Sequence, residues 1–178
     1  NSHNKKMAVS CGLALDIEAA SRRGDNFLTR NHGDLDIHPL VEDIPFWKKW
    51  FEERGYIISN DDRDIDMSKA FVVFPKTYNP EEWNTDPDSY YIDVYGLESD
   101  DKGVIHSLES WKDESWGSTW DENFIKCRWM DRDITVMKHE VALANKRKTA
   151  KEKGTNLRAI DLHDHKLFNI DPLQFNQD

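Results

Sequence analysis

The spacing of apolar positions changes several times along the 178-residue chain, and each change marks an element. Asn1–Lys6 carries no pattern and reads as a tail, with Met7 a natural start. Residues 8–16 are small and apolar around Gly12 and turn helix-compatible toward Asp16; residues 21–31, with Gly24 and three arginines, read as a loop. Leu35 and Ile37 alternate with Asp34, Asp36 and His38, the two-residue period of a short strand. Asp43 and Pro45 then open a helix, and Ile44, Trp47 and Phe51 form its apolar stripe until Gly55 stops it. Residues 56–59 and 70–74 read as strands separated by an acidic turn over 60–66. A proline-marked loop spans 75–89. A β-branched and aromatic strand spans 90–97, and a turn at 99–103 leads to 104–108 as its hairpin partner. Residues 109–123 are Trp-rich and irregular, and 127–137 holds one or two strands. Helices are expected over 139–151, ended near Gly154, and over 156–169, stopped before Pro172. The expected fold class is α/β (α+β), a small mixed sheet flanked by helices. Residues 1–178 are expected to form one domain, with 138–178 its C-terminal helical portion.

Charge narrows the possible partners. Asp and Glu number 34 against 24 Lys and Arg, a net charge of −10. A protein that coats duplex nucleic acid shows the opposite bias, so a duplex partner is not expected. No apolar run of 18 residues is present, so no membrane helix is expected. No signal-peptide pattern opens the chain. Cys11 and Cys127 make no disulfide scaffold, and the expected compartment is the cytoplasm. The charge is also segregated. Residues 79–122 hold thirteen acids and two bases, while residues 138–158 hold seven bases and two acids. Two solvated faces of opposite bias would explain this, as would a cleft that handles an anion on one side and a cation or metal on the other.

Candidate chemistry concentrates in Thr29-Arg30-Asn31-His32-Gly33-Asp34-Leu35-Asp36-Ile37. Aspartates at i and i+2 of a strand point to one face. Two neighbouring carboxylates repel, and a divalent cation would neutralise them; the plain alternative is a strand edge that exposes both to water. Asp93 lies inside Tyr90-Tyr91-Ile92-Asp93-Val94-Tyr95, where a lone charge is costly unless paired or metal-bound. If that strand runs beside the first, Asp34, Asp36 and Asp93 make a three-carboxylate site of the kind that holds two ions for phosphoryl or nucleotidyl transfer. Trp111, Trp116, Trp120 and Trp129 offer faces for stacking a base or sugar, and core packing suits them equally. Cys127 reads as packing. His163 and His165, two apart, do not share a helix face and read as structural or surface residues.

These residues carry a resemblance. Ser10-Cys11-Gly12-Leu13-Ala14-Leu15-Asp16, the Thr29–Ile37 segment, a helix ending Phe51-Glu52-Glu53-Arg54-Gly55-Tyr56 and the Tyr91–Tyr95 strand together resemble the lincosamide and aminoglycoside nucleotidyltransferases of the DNA polymerase β-like superfamily. Arg158-Ala159-Ile160-Asp161-Leu162-His163-Asp164 is similar to the family's closing Arg-x-Lys-Asp-x-x-Asp helix. Cys11 stands where the family has glycine, Leu13 where it has tryptophan, and the connection from Asp16 to Thr29 is longer.

The resemblance implies the nucleotidyltransferase fold and a metal-dependent nucleotidyltransferase (a transferase, EC 2.7.7-like). Such an enzyme moves a nucleoside monophosphate from a magnesium–NTP complex onto a hydroxyl of a small acceptor. Asp34, Asp36 and Asp93 would be catalytic and metal-binding, with Mg²⁺ or Mn²⁺, two ions in all. Ser10, Gly12, Arg30 and His32 would bind the nucleotide. Asp16 would cap or order the turn. Lys146, Lys148 and Arg158 are candidates to assist the triphosphate, with a solvated basic helix face the favoured reading. The acidic 79–122 segment suits a cationic acceptor such as an aminoglycoside- or lincosamide-like antibiotic, and a homodimer accords with the family. The alternatives are a toxin–antitoxin-type nucleotidyltransferase acting on protein or RNA, and a non-catalytic nucleotide-binding module.

Overall fold

The computed structural model describes residues 5–60, 66–77, 91–106 and 115–172, with backbone alone over 115–118. Most of the expected 60–66 turn and 75–89 loop, residues 107–114 with Trp111, and the Trp116 side chain lie outside the described residues.

Among the described residues, ten strands and five helices succeed one another. They are β1 (Met7–Val9), α1 (Cys11–Arg23), β2 (Asp34–Pro39), α2 (Ile44–Glu53, entered by a 3-10 turn), β3 (Ile57–Ser59), β4 (Ala70–Phe74), β5 (Tyr91–Tyr95), β6 (Glu98–Ser99), β7 (Val104–His106), β8 (Ser115–Thr119), α3 (Trp120–Asn123), β9 (Phe124–Trp129), β10 (Arg132–Met137), α4 (His139–Glu152) and α5 (Ala159–Leu167). Seven strands form one mixed sheet in the order β3-β4-β5-β2-β1-β10-β9. The pairs β2–β5 and β1–β10 are parallel and the others antiparallel. This is the mixed α/β architecture expected from the sequence.

Several boundaries differ from the sequence reading, each for a physical reason. The loop expected from residue 21 begins at Gly24, because α1 continues to Arg23. Arg22 pairs with Glu18 one turn back at 2.6 Å, and only Gly24 supplies the left-handed stop, at φ 74°. Residues 104–106 pair with β6 and β8 in a separate three-stranded sheet, and the 91–95 strand enters the main sheet instead. β9 and β10 are two strands joined at Met130 and Asp131, with φ of 48° and 58°. Two left-handed residues give a turn whose twist matches that of the strands, here made without glycine. The last helix starts at Ala159, where Asp161 accepts hydrogen bonds from the backbone and side chain of its cap residue Arg158.

The buried apolar residues form two main clusters along the sheet. One cluster packs Ala14, Leu15 and Ile17 of α1 with Val136, Met137 and Leu143, and takes in Cys127 and Trp120. The other packs Ile44 and Phe51 of α2 against Ile37, Phe71, Val73 and Val94. All five residues of β4 are buried, which explains why its sequence is a continuous apolar run with no alternation. No helix among the described residues is long and apolar enough to cross a membrane.

Phe71 is fully buried and meets Phe51 edge-on with ring centroids 6.4 Å apart. Truncating Phe71 to alanine is expected to cost about 3–5 kcal/mol, read from the urea or guanidinium unfolding midpoint.

Candidate functional site

β2 connects the core to a cleft. Its two-residue alternation turns Leu35 and Ile37 toward the core cluster, while Asp34, Asp36 and His38 line a cavity of about 470 Å³. On the neighbouring parallel strand, Asp93 is the register partner of Asp36. Partners directly across a sheet point to the same side, so the three acids the sequence singled out share one face. Asp34 and Asp36 line the cavity; Asp93 sits one strand further along and is half-buried. Hard oxygen donors of this kind fit Mg²⁺ or Mn²⁺ in chemistry. Among the described residues, no three His, Cys, Asp or Glu side chains converge closely enough to hold an ion as they stand.

The N-terminus of α1 forms the adjoining wall. Cys11 has φ 55°, a left-handed conformation that suits glycine and costs an L-residue about 1–2 kcal/mol. Cys11 borders the cavity. Enclosure by the surrounding protein, reinforced by the negative charge of Asp36, pushes the thiol far above its ordinary range, so it stays protonated. Gly12 has a different reason to be glycine. A Cβ built there would lie 1.9 Å from Arg30 Nη2, so the missing side chain is what lets the Arg30 guanidinium rest on the start of the helix. Ser10 is fully buried just before α1 and does not line the cavity.

Arg30 and His32 stand on the segment between Gly24 and β2, which has neither helix nor strand to hold it. Asp16 of α1 supplies the anchor. It accepts hydrogen bonds from the Thr29 amide at 3.2 Å, from the Thr29 hydroxyl, and from His32 Nε2 at 2.8 Å. Burial alone would raise the Asp16 pKa, but these donors outweigh it and hold the group below its usual range. The expected turn-ordering role of Asp16 is therefore what the geometry displays. With its proton committed to Asp16, the Thr29 hydroxyl accepts from His163 Nε2 of α5 at 2.8 Å.

The opposite wall is cationic, and here the sequence reading needs correcting. Lys146 belongs to no solvated face: its side chain is 14% exposed, lines the cavity, and pairs with Asp161 at 2.8 Å and Asp164 at 3.2 Å. Arg158 keeps 73% of its side chain exposed, yet it borders the cavity and grips Asp161 at 2.8 Å. Its charge also feels Asp34 across the cleft. Lys148 pairs loosely with Glu152 and remains a surface residue. Burial would raise the Asp161 pKa, but Arg158 and Lys146 reverse the effect and hold the carboxyl far below the usual carboxylate range. His165 is fully buried, donating from Nδ1 to the Asp161 carbonyl at 2.7 Å and accepting from Arg147 at Nε2. His163 and His165 are thus structural, as expected.

Other candidates fall elsewhere. Trp120 packs against Phe124 in the core, and the Trp129 indole donates to the Asn26 carbonyl; neither borders the cavity. His38 was not singled out, although its place two residues beyond Asp36 on the same alternation was the available signal. Burial lowers its pKa to about 4, so the ring is neutral at ordinary pH, with Nδ1 donating to the Tyr95 carbonyl at 2.9 Å.

Several solved proteins share this fold. The chain aligns over 93% of its length with 86% of the lincosamide antibiotic adenylyltransferase LnuA, solved with lincomycin bound, at 17% identity and a TM-score of 0.59. It aligns over 92% of its length with 78% of ANT(2'')-Ia, solved in complex with adenylyl-2''-tobramycin, at 14% identity and a TM-score of 0.58. At such identities the likeness is one of fold. No model of a protein family matches the sequence, and no curated protein matches it.

Two outcomes follow from this geometry. Cys11→Gly relieves the left-handed strain and is expected to raise stability by about 0.5–1 kcal/mol, after the greater unfolded-state freedom of glycine is set against the gain. Asp161 has a lowered folded-state pKa, so its contribution is full above about pH 4, the usual unfolded value, and is lost as the pH falls below it. In urea unfolding between pH 2 and 5, Asp161→Asn should show a shallower fall in stability on acidification than the parent protein.

Proposed function

We propose that this protein is a metal-dependent nucleotidyltransferase that moves a nucleoside monophosphate from an NTP onto a hydroxyl of a small, cationic acceptor, an aminoglycoside- or lincosamide-like antibiotic. One observation carries the reading. Asp34 and Asp36 border the same cavity as Arg30, Lys146 and Arg158, and Asp93 stands in register with Asp36. The similar fold of an adenylyltransferase bound to lincomycin and of a protein bound to adenylyl-2''-tobramycin supports the acceptor class.

Asp34, Asp36 and Asp93 would hold the divalent ions, Mg²⁺ or Mn²⁺. When bound, these ions would neutralise charge on the triphosphate and lower the pKa of the acceptor hydroxyl. The triphosphate would lie against the start of α1 at Gly12, where unpaired backbone N–H groups and the helix dipole favour an anion. Arg30 would face it with a planar fork suited to phosphate. His32, fixed by Asp16, would close that side, and Ser10 would order the backbone leading into the helix. Lys146 and Arg158 would complete the cationic wall. In the reaction the acceptor oxygen bonds to the α-phosphorus, the bond from that phosphorus to the bridging oxygen breaks, and pyrophosphate leaves. The hydroxyl proton passes to a carboxylate oxygen of Asp93. Catalysis is then positioning and charge neutralisation, with no covalent enzyme intermediate. The acidic wall at Asp34 and Asp36 suits a cationic acceptor. Two free cysteines suit a reducing compartment such as the cytoplasm.

A panel of labelled NTPs and aminoglycoside and lincosamide acceptors with Mg²⁺, read by the mass of the acceptor, tests this reading. The expected result is a mass gain of one nucleotide that EDTA abolishes. Asp34→Ala and Asp36→Ala should each lower the rate by about 100- to 1,000-fold. Their thermal midpoints should be unchanged or raised, because removing one of several crowded like charges relieves repulsion. Full activity in either variant would sink the metal-site assignment. Nucleotide binding without any transfer would instead point to a non-catalytic binding module, the reading favoured by Cys11 at the glycine position.

A further inference from the structure

Asp164 belongs to none of the roles above. It lies on α5, its side chain is fully buried, and it does not border the cavity. Yet its two oxygens meet cations from two separate elements, both of which do border it. Arg30 Nε and Nη2 lie 3.4 and 3.5 Å from Oδ1 and Oδ2, and Lys146 Nζ lies 3.2 Å from Oδ2. The side chains of Arg30 and Lys146 are 18% and 14% exposed, so water screens this trio poorly.

The electrostatics of the place explain why such a carboxylate is needed. The Arg30 guanidinium rests against Gly12 at the start of α1, where the helix dipole presents partial positive charge. Lys146 comes close enough to the same helix start for its charge to act on the Cys11 thiol. Two cations and a positive helix end therefore crowd one spot, and each repels the others. Without a counter-charge, Arg30 would swing toward water, since the segment that carries it has no regular structure. A carboxylate behind the cations, out of reach of the ligand, holds them in place and leaves their outer faces for an anion.

We propose that Asp164 is a positioning residue for the triphosphate: it locks Arg30 and Lys146 side by side over the start of α1, so that the nucleotide meets a preorganised cationic grip. The proposal rests on the nucleotide site of the preceding section. It goes beyond that site by assigning the affinity for NTP, and not the chemical step, to a residue that touches neither substrate.

The test is calorimetry with magnesium–ATP and magnesium–GTP on the full chain, paired with thermal unfolding. Asp164→Asn keeps the side-chain volume and removes the charge. It should weaken nucleotide binding roughly tenfold, raise KM for the nucleotide by a similar factor, and leave kcat at saturating nucleotide within about twofold. A merely structural carboxylate would lower the melting temperature and leave the affinity of the folded protein unchanged. If Asp164→Asn fails to fold because Asp161 alone is left to offset the Arg30 and Lys146 charges, the measurement moves to a Lys146→Met background. There Asp164→Asn should still weaken binding several-fold relative to Lys146→Met alone, and equal affinity would overturn the proposal. The outcomes separate the two readings. Parent protein that binds neither nucleotide removes the nucleotide site and this inference together. Parent protein that binds, with an Asp164→Asn variant that binds as tightly, removes this inference alone.

Discussion

Like charges on adjacent strands of a sheet repel, and this repulsion organises the cleft. The parallel pairing of β2 with β5 sets Asp36 beside Asp93, with Asp34 two residues along the same face. Such a row is stable in isolation only if water or a cation attends it. The protein answers with a second charged layer of opposite sign across the cavity, built from Arg30, Lys146 and Arg158. That layer has the same difficulty in reverse, and Asp161 and Asp164 of α5 resolve it. The cleft is therefore a stack of alternating charge: carboxylates on the sheet, cations on the facing wall, and carboxylates again behind them.

How much of this was legible in the sequence depends on whether an element is tuned to the core or to the cleft. Strand β2 was readable because it serves both. Its alternation of Leu35 and Ile37 with Asp34 and Asp36 is the pattern that burial on one side imposes. The apolar strand β5 was readable for the same reason, and Asp93 stood out within it. Strand β1 was not readable: Met7–Val9 is three residues long, too short for any period to show. Helix α5 was found, but its orientation was hidden because its pattern is inverted. Asp161, Asp164 and His165, at i, i+3 and i+4, form the buried face, while Ile160 and Leu162 are more than one-third exposed. An ion-paired interface follows the helical period as faithfully as a hydrophobic one, but with the residue types exchanged. Lys146 was misassigned for a related reason. It lies three and four residues beyond the buried Leu143 and Ala142, so it occupies the inner face of α4, but its charge suggested water.

The balance between local order and ion pairing also accounts for the segment ahead of β2. It has no hydrogen-bonded regular structure, yet it presents two side chains to the cavity. Asp16 fixes it from α1 through Thr29 and His32, and α5 fixes it through His163 and Asp164. Two helices distant in sequence thus hold one loop, which places long-range contacts at the most chemically charged part of the molecule.

The contact between Gly12 and Arg30 has an evolutionary corollary. Because the guanidinium occupies the space a Cβ would need, the two positions are sterically coupled. A change at residue 12 is harmful or harmless according to what stands at residue 30. With arginine present, even a methyl group at residue 12 displaces its guanidinium; with a short side chain at 30, the same methyl group first meets His32 Cε1, at 3.4 Å. The order of substitutions therefore matters: losing this glycine moves the guanidinium off the helix start while the arginine is present, and moves nothing there once the arginine is gone.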